Sequence, residues 1–303
     1  MTIPAAPVTA RGDPKSPPGL PEYSRQRQQE ARQRENFPIA AWLLRPGRRE
    51  ARSAIYGFCR LVDDLGDEKL GDPNTLLELA QEELEACYTG TPEHPVFQRL
   101  QPVIRRFQLP PEPLRRLIQA NQQDQRMSRY RSWAELDQYC ELSANPVGEL
   151  VLALEGIRDP ELVGYSNSIC TGLQLANMWQ DVASDRARGR RYLPAEVLAE
   201  HGAAEEEWWS GTVSSGMLAA EAHAVGRARR LLIDGWPLVR AVPGLMRMEM
   251  ATFILCGLAA TAAVLEAGPR VFAEKAVLSP ARRRRAVWQA SWAWRQASPP
   301  RSS

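Results

Sequence analysis

Two acidic runs set in apolar sequence are the residues whose types and spacing could do chemistry. The first is Y-G-F-C-R-L-V-D-D-L-G-D-E, Tyr56 to Glu68, and the second is Q-L-A-N-M-W-Q-D-V-A-S-D, Gln174 to Asp185. At about 100° per residue, Tyr56, Arg60, Asp63 and Asp67 fall within roughly 60° on one helix face. Gln174, Asn177, Asp181 and Asp185 fall within about 80° on another. Each run therefore aims a D-x-x-x-D pair in a single direction. Such pairs are unfavourable alone, because aspartate is a poor helix former and like charges at i,i+4 repel by a few tenths of a kcal/mol. Facing each other across an apolar cavity, the carboxylates would cost several kcal/mol each in desolvation. A hard divalent cation compensates. Magnesium takes one or two carboxylates together with phosphate oxygens and water, which suits two pairs bracketing a diphosphate.

A single D-x-x-x-D is ordinarily a solvated helix face. Here two occur, each among apolar neighbours (Ile55, Phe58, Leu61, Val62; Leu173, Leu175, Met178, Trp179). Asp63, Asp67 and Asp181 also have no lysine or arginine at i+4. The pattern favours a cation site.

The elements that must position these residues are helices. From Arg48 onward apolar residues recur at three- and four-residue steps, and prolines mark the breaks. The spacing predicts helices over about 48–68, 74–88, 93–107, 111–126, 132–156 with a break near Pro146, 159–185, 214–235, 240–267 and 280–295. Sustained two-residue alternation is absent, so the expected fold class is all-α: a helical bundle around one central cavity. A single domain is expected over residues 25–297, between a disordered proline-rich leader (1–24) and a disordered tail (298–303). Gly66, inside the first acidic run, either allows close backbone approach or marks fraying of its helix, and fraying is the favoured reading.

Hydrophobic residues make up 44% of the chain, enough for a core, and the net charge of +2 gives no reason to expect a nucleic-acid partner. The uncharged run Met250 to Leu265 is shorter than the ~20 residues of a membrane span and reads as a buried helix. The N-terminus lacks a secretory apolar core, and five widely spaced cysteines suit reduced thiols in a cytoplasmic protein. The three histidines are equally scattered, which argues against zinc. The 23 residues from Ala281 carry six arginines and no acid, with Trp288, Trp292 and Trp294 among them. Residues 281–295 could therefore lie on an anionic membrane, or pack on the body with a solvated basic face.

Over roughly residues 34 to 267 the chain resembles the squalene/phytoene synthase family. Both aspartate motifs, the segment around Tyr139 and R-R-Y-L-P at Arg190 to Pro194 carry the resemblance. It implies an isoprenoid synthase helical fold with the two acidic helices on opposite cavity walls. It also implies that Asp63, Asp67, Asp181 and Asp185, with Asn177, hold Mg2+, and that Arg60, Gln174, Arg191 and Tyr192 lie near a substrate diphosphate.

Finer features resemble the bacterial hydroxysqualene synthases of hopanoid pathways: E-N-F-P at Glu35 to Pro38, Y-C-x-x-S-A-N-P-V-G at Tyr139 to Gly148, and W-Q-D-V at Trp179 to Val182. Gln180 stands where most carotenoid-forming relatives have arginine, which removes a positive charge beside the second cluster. The reaction so implied is Mg-assisted ionisation of presqualene diphosphate, rearrangement of the cation and capture by water. Tyr56, Arg60, Tyr139 and Asn145 are the expected catalytic residues, with Arg60 and Arg191 on the leaving group. Phe37, Tyr56 and Tyr139 are the aromatic faces for the cation, and Asn145 would hold the water. Asn145 could equally cap the helix that restarts at Pro146. The alternatives are a head-to-head condensing synthase that makes presqualene diphosphate or phytoene from farnesyl diphosphate or a longer prenyl diphosphate, and a non-catalytic relative acting as an assembly factor. Partners of this reading are the prenyl substrate, the membrane surface and neighbouring hopanoid-pathway enzymes.

Overall fold

The structure is a computed structural model that describes residues 19–20, 46–66, 71–293 and 295–296. The expectations for the 1–24 leader, apart from Gly19 and Leu20, and for the 298–303 tail lie outside the described residues. So do those for Phe37, Asp67 and Trp294.

Helices make up the described chain in the order α1 (Pro46–Leu65), α2 (Pro73–Thr89), α3 (Pro95–Phe107), α4 (Pro111–Asp124), α5 (Trp133–Ser143), α6 (Asn145–Leu154) and α7 (Pro160–Gln180). There follow α8 (Val182–Ala187), α9 (Ala195–Glu200), α10 (Glu205–Ser210), α11 (Ser215–Asp234), α12 (Pro237–Ala241), α13 (Leu245–Ala267) and α14 (Pro280–Ala293). Proline opens many of them, where its missing N–H costs nothing. Asp72 and Asp159 cap α2 and α7 by accepting backbone N–H bonds. The short helices α9, α10 and α12 escape a periodicity reading because each has fewer than two turns. Among the described residues the extended pairing is a lone bridge between Arg129 and Arg191.

Two departures from the predicted helices matter for the site. The 159–185 helix is broken at Asp181, which ends α7 and opens α8 with φ −99° and ψ 9°. The helix predicted over 48–68 ends at Leu65, and residues 67–70 lie outside the described residues; the Gly66 N–H still bonds to Val62 O, and its carbonyl accepts from Gln125 Nε2 at 3.1 Å. A Cβ there would meet Asn121 Oδ1 at 2.8 Å, so the residue allows α4 to close on the end of α1.

One apolar cluster joins α1 to α4 and α6 around Phe58, Leu61, Leu77, Phe97 and Leu114. A second gathers Tyr130, Tyr139, Trp179, Trp208 and Ala224. A third joins α12, α13 and α14 to α7 through Ile169, Trp236, Ile254 and Ala290. Helix α7 packs against α6, α11 and α13, which makes it the axial element. Gly148 lets α6 close on it, since a Cβ would meet Cys170 Sγ at 2.6 Å. Within the Leu245–Phe272 stretch, α13 is long and apolar enough to cross a membrane by length and composition, yet 61% of its most apolar window is buried inside the protein. Its Glu249 pairs with Arg52 of α1, both nearly inaccessible. The expected core role for this segment is the one it takes.

Candidate active site

Asp63 lies near the C-terminal end of α1, one turn beyond Arg60, whose guanidinium reaches Asp63 at 3.6 Å and Asp64 at 3.2 Å. From α4, Asn121 Nδ2 donates to Asp63 Oδ1 at 3.4 Å. The Asp63 side chain keeps 53% of its accessible surface, yet surrounding protein displaces enough water to push its carboxyl up to about 6. Burial outweighs the opposing pull of Arg60 and Asn121, and the neighbouring charges of Asp64 and Asp124 add to the rise. The carboxylate is thus open to solvent on one side and crowded by protein on the other.

Asp124, the last residue of α4, acts on that carboxylate through its charge. It accepts a 2.9 Å hydrogen bond from Tyr139 Oη, and burial raises its pKa. Tyr139 packs with Tyr130 and Tyr192, whose ring centroids lie 5.7 and 5.9 Å from its own. Burial holds the Tyr139 phenol well above its ordinary pKa and pushes Tyr192 up to about 12, so both stay protonated donors.

The second acidic run closes the ring. Burial and then the charge of Asp181 push Asp185 up to about 6, against the pull of Arg190, Arg188 and Lys275. Lys275 Nζ meets Asp181 Oδ1 at 2.7 Å. The charge of Arg190 also acts on Asp124 and Tyr192, and Asp124 and Asp185 both act on Tyr192. Asp63, Asp124, Asp185 and Asp181, from α1, α4, α8 and the α7–α8 break, are thereby linked one to the next through their charges and that of Arg190. Asn177, one turn before Asp181, has a buried Oδ1 with no hydrogen-bond partner among the described residues.

Three residues of the sequence analysis have partners that the sequence does not announce. Arg191 is 2% exposed, and its guanidinium approaches Tyr130 O at 3.5 Å and Glu205 at 3.6 Å rather than the carboxylates. The reason is extended backbone: Arg191 bridges Arg129, and successive side chains of an extended segment point to opposite sides. Arg190 and Tyr192, which share a hydrogen bond, take the acidic side. Gln180 is fully buried and donates from Nε2 to Ala276 O at 2.6 Å. It anchors the segment carrying Lys275, so a lysine 94 residues past Asp181 adds to the charge of Arg190 and Arg188 beside the second cluster. Asn145 does not cap: Ala144 is the cap of α6, and Asn145 Oδ1 accepts from Thr171 Oγ1 at 2.9 Å, both residues being buried.

Tyr56 and Gln174 are half-buried on the expected helices. Asp124, Asn121, Arg190 and Lys275 were not singled out from sequence. The first two carried a signal, since Asn121, Asp124 and Gln125 make an i, i+3, i+4 polar face on a helix whose other face is apolar. A separate hollow of about 240 Å³ lined by Gly47, Arg48, Arg106 and Phe107 lies at the far end of α1, about 24 Å along the axis from Asp63.

These residues fit a divalent cation. The mouth gathers carboxylates whose charge is under-compensated, with an unpartnered amide oxygen beside them, and hard oxygen donors are what Mg2+ takes.

The squalene/phytoene synthase family profile matches residues 31–291. A hydroxysqualene synthase of Rhodopseudomonas palustris is 34% identical over 210 residues, covering 69% of this chain and 71% of that protein. A phytoene synthase of Arthrospira platensis is 32% identical over 223 residues, covering 69% and 72%. The crystal structure of a squalene synthase from Alicyclobacillus acidocaldarius superposes with TM-score 0.75 at 36% identity, over 80% of this chain and 93% of that one. A dehydrosqualene synthase crystal structure superposes with TM-score 0.78 at 21% identity, over 87% and 93%, and shares the fold.

Proposed function

Because the chain belongs to the squalene/phytoene synthase family, we propose that it is a magnesium-dependent hydroxysqualene synthase, converting presqualene diphosphate and water to hydroxysqualene and diphosphate. The observation that carries the diphosphate chemistry is the convergence of Asp63, Asp124, Asp181 and Asp185 on one mouth that also holds Arg60, Arg190 and protonated tyrosines. Held by Asp63, Asp67, Asn177, Asp181 and Asp185, Mg2+ would supply charge neutralisation for a departing diphosphate. Arg60 and Arg190 donate charge-assisted hydrogen bonds to the phosphate oxygens. Gln174 and the Tyr192 hydroxyl bind the same group. Arg191 acts through the 190–192 backbone.

Once the carbon–oxygen bond breaks, the cation needs a dry wall that cannot trap it. Tyr56 and Tyr139, with Phe37 as the candidate outside the described residues, would supply aromatic faces worth ~1–2 kcal/mol each when desolvated. Water must enter late and at one point. Asn145 is suited to hold it, because its partner Thr171 lies six residues before Asn177 on α7, about 9 Å deeper than the metal end.

The hydroxysqualene product rests on likeness to the Rhodopseudomonas palustris enzyme and on the E-N-F-P, S-A-N-P-V-G and W-Q-D-V segments. One observation favours the condensing alternative. Lys275 restores the positive charge that Gln180 lacks, so capacity for a second diphosphate is not lost, and phytoene synthases match at similar identity. Incubating the pure protein with Mg2+ and presqualene diphosphate, and separately with farnesyl diphosphate, then identifying products by mass spectrometry, decides between them. Hydroxysqualene from the first supports the assignment. Turnover of farnesyl diphosphate alone overturns it.

The same reading places the protein in the cytoplasm at a membrane surface, near other hopanoid-pathway enzymes. Helix α14 packs on the body through Ala286, Ala290 and Ala293, leaving Trp288 and Trp292 68% and 57% exposed beside its arginines. Deleting residues 281–303 should abolish co-sedimentation with anionic liposomes.

A further inference from the structure

The scatter of the three histidines along the chain argues against zinc, but the fold brings two of them together. His201 Nε2 lies 2.9 Å from His223 Nδ1, and Glu200 Oε2 lies 3.6 Å from the same nitrogen. One ligand atom from each of the three residues fits within a 4.8 Å span. We propose that Glu200, His201 and His223 form a binding site for one divalent transition-metal ion of the zinc class, separate from the acidic mouth.

The donor set and its dimensions support this. Two imidazole nitrogens and one carboxylate suit zinc-class ions, whereas magnesium prefers oxygen alone. A tetrahedral ion with ligands at about 2.0–2.1 Å sets them about 3.3–3.4 Å apart. The two separations from His223 Nδ1, 2.9 and 3.6 Å, straddle that value, and the exposed Glu200 carboxylate is free to adjust within the 4.8 Å span of the set. The imidazole rings stand at 90° rather than stacking. Without an ion, one ring donates to the other. With one, both inward nitrogens present lone pairs and the protons sit on His201 Nδ1 and His223 Nε2.

The supports are fixed. His201 ends α9, with its backbone N–H on the carbonyls of Val197 and Leu198, and His223 lies within α11. Val197 and Leu198 pack in the same cluster as Ala220 and Ala224 of α11, so the two elements that carry the half-buried histidines are packed against each other. Glu200 is 59% exposed and His223 30% exposed, which leaves an approach for the ion and an open position for water. Helix α9 follows directly on the extended segment carrying Arg190 and Tyr192, and its Glu196 accepts from Trp133 N at 2.6 Å. An ion here would pin α9 to α11 and stiffen that segment.

The test uses the untagged full chain, stripped with chelator and then saturated with Mg2+ to fill the acidic mouth. Cobalt(II) uptake is followed by visible ligand-field absorption and Zn2+ uptake by calorimetry, so no prenyl substrate is needed. One ion per chain is expected, with a rise in melting temperature on Zn2+ addition. His223→Gln or His201→Gln should weaken binding at least ~10-fold, since even an outer partner of a metal ligand is worth that much. Circular dichroism checks that these variants fold, and Asp63→Asn should leave the cobalt spectrum unchanged. Failure of the wild type to take up Co2+ or Zn2+ under these conditions, or undiminished uptake in the folded double glutamine variant, overturns the proposal.

Discussion

Tyr139 Oη donates a 2.9 Å hydrogen bond to Asp124 Oδ2, joining the buried face of α5 to the last residue of α4. The bond lies among groups that feel both acidic runs: Asp124 acts on Asp63 of α1, and Arg190 acts on Asp124 and on Asp185 of α8. Asp124 thus acts directly on the first acidic run and shares the charged neighbour Arg190 with the second.

Asp124→Asn should lower the rate of diphosphate release by about 10–100-fold, the loss expected for a hydrogen bond to a charged group of about 1.5–3 kcal/mol. Tyr139→Phe should fall in the same range with little change in melting temperature. A steady-state diphosphate-release assay reads both, and wild-type rates in Asp124→Asn would remove Asp124 from the site.

Asp63→Ala or Asp181→Ala should reduce activity by at least ~10³-fold, as should chelation of the divalent ion. In the metal-free protein Asp63→Asn should raise the melting temperature, because it removes a carboxylate that its crowded surroundings disfavour. A fall in melting temperature would mean that Asp63 is structural.

Asn145→Ala should shift the ratio of alcohol to hydrocarbon product, measured by mass spectrometry, and should cost about 1–3 kcal/mol of stability by leaving the Thr171 hydroxyl unpaired. A stability loss with an unchanged product ratio would assign Asn145 to packing alone.

Glu221 is 5% exposed on α11, its Oε1 has no hydrogen-bond partner among the described residues, and burial raises its pKa to about 8. Below the ordinary value of 4.5 both folded and unfolded chains hold the proton, and there is no effect. Between 4.5 and about 8 only the unfolded chain releases it, so stability falls as pH rises, and above about 8 the loss is complete. Glu221→Gln should therefore stabilise the protein by on the order of a few kcal/mol at pH 8 and hardly at all at pH 4.5. Urea midpoints across that range would show it, and a constant difference at every pH would contradict the account.

Arg52 and Glu249 form a nearly inaccessible ion pair between α1 and α13. Arg52→Met alone should cost ~3–5 kcal/mol by leaving the carboxylate buried and unpaired, and adding Glu249→Leu should recover most of that loss. Equal losses in the single and double variants, measured by denaturant unfolding, would show that the pair contributes nothing through charge.

Helix periodicity and proline placement made the long helices legible in the sequence, and the break near Pro146 is found at Ala144. Asp63, Asp181 and Asp185 stood out because charge inside an apolar helix is costly enough to need a reason. What stayed hidden depends on local backbone state or on distant partners. The break at Asp181 has no proline or glycine to announce it. The choice between Arg190 and Arg191 turns on an extended stretch too short for any periodicity. Gln180 donates to the Ala276 carbonyl 96 residues away, next to the Lys275 that meets Asp181, and the pairing of His201 with His223 needs α9, which is too short to predict.

The Lys275–Asp181 contact also bears on how the chain is made. A ribosome delivers Asp63, Asp124, Asp181 and Asp185 long before Lys275 leaves the exit tunnel. During that interval the nascent chain holds a cluster of mutually repelling carboxylates without one of its neutralising cations. The Lys275–Asp181 contact can therefore form only once nearly all of the polypeptide is available.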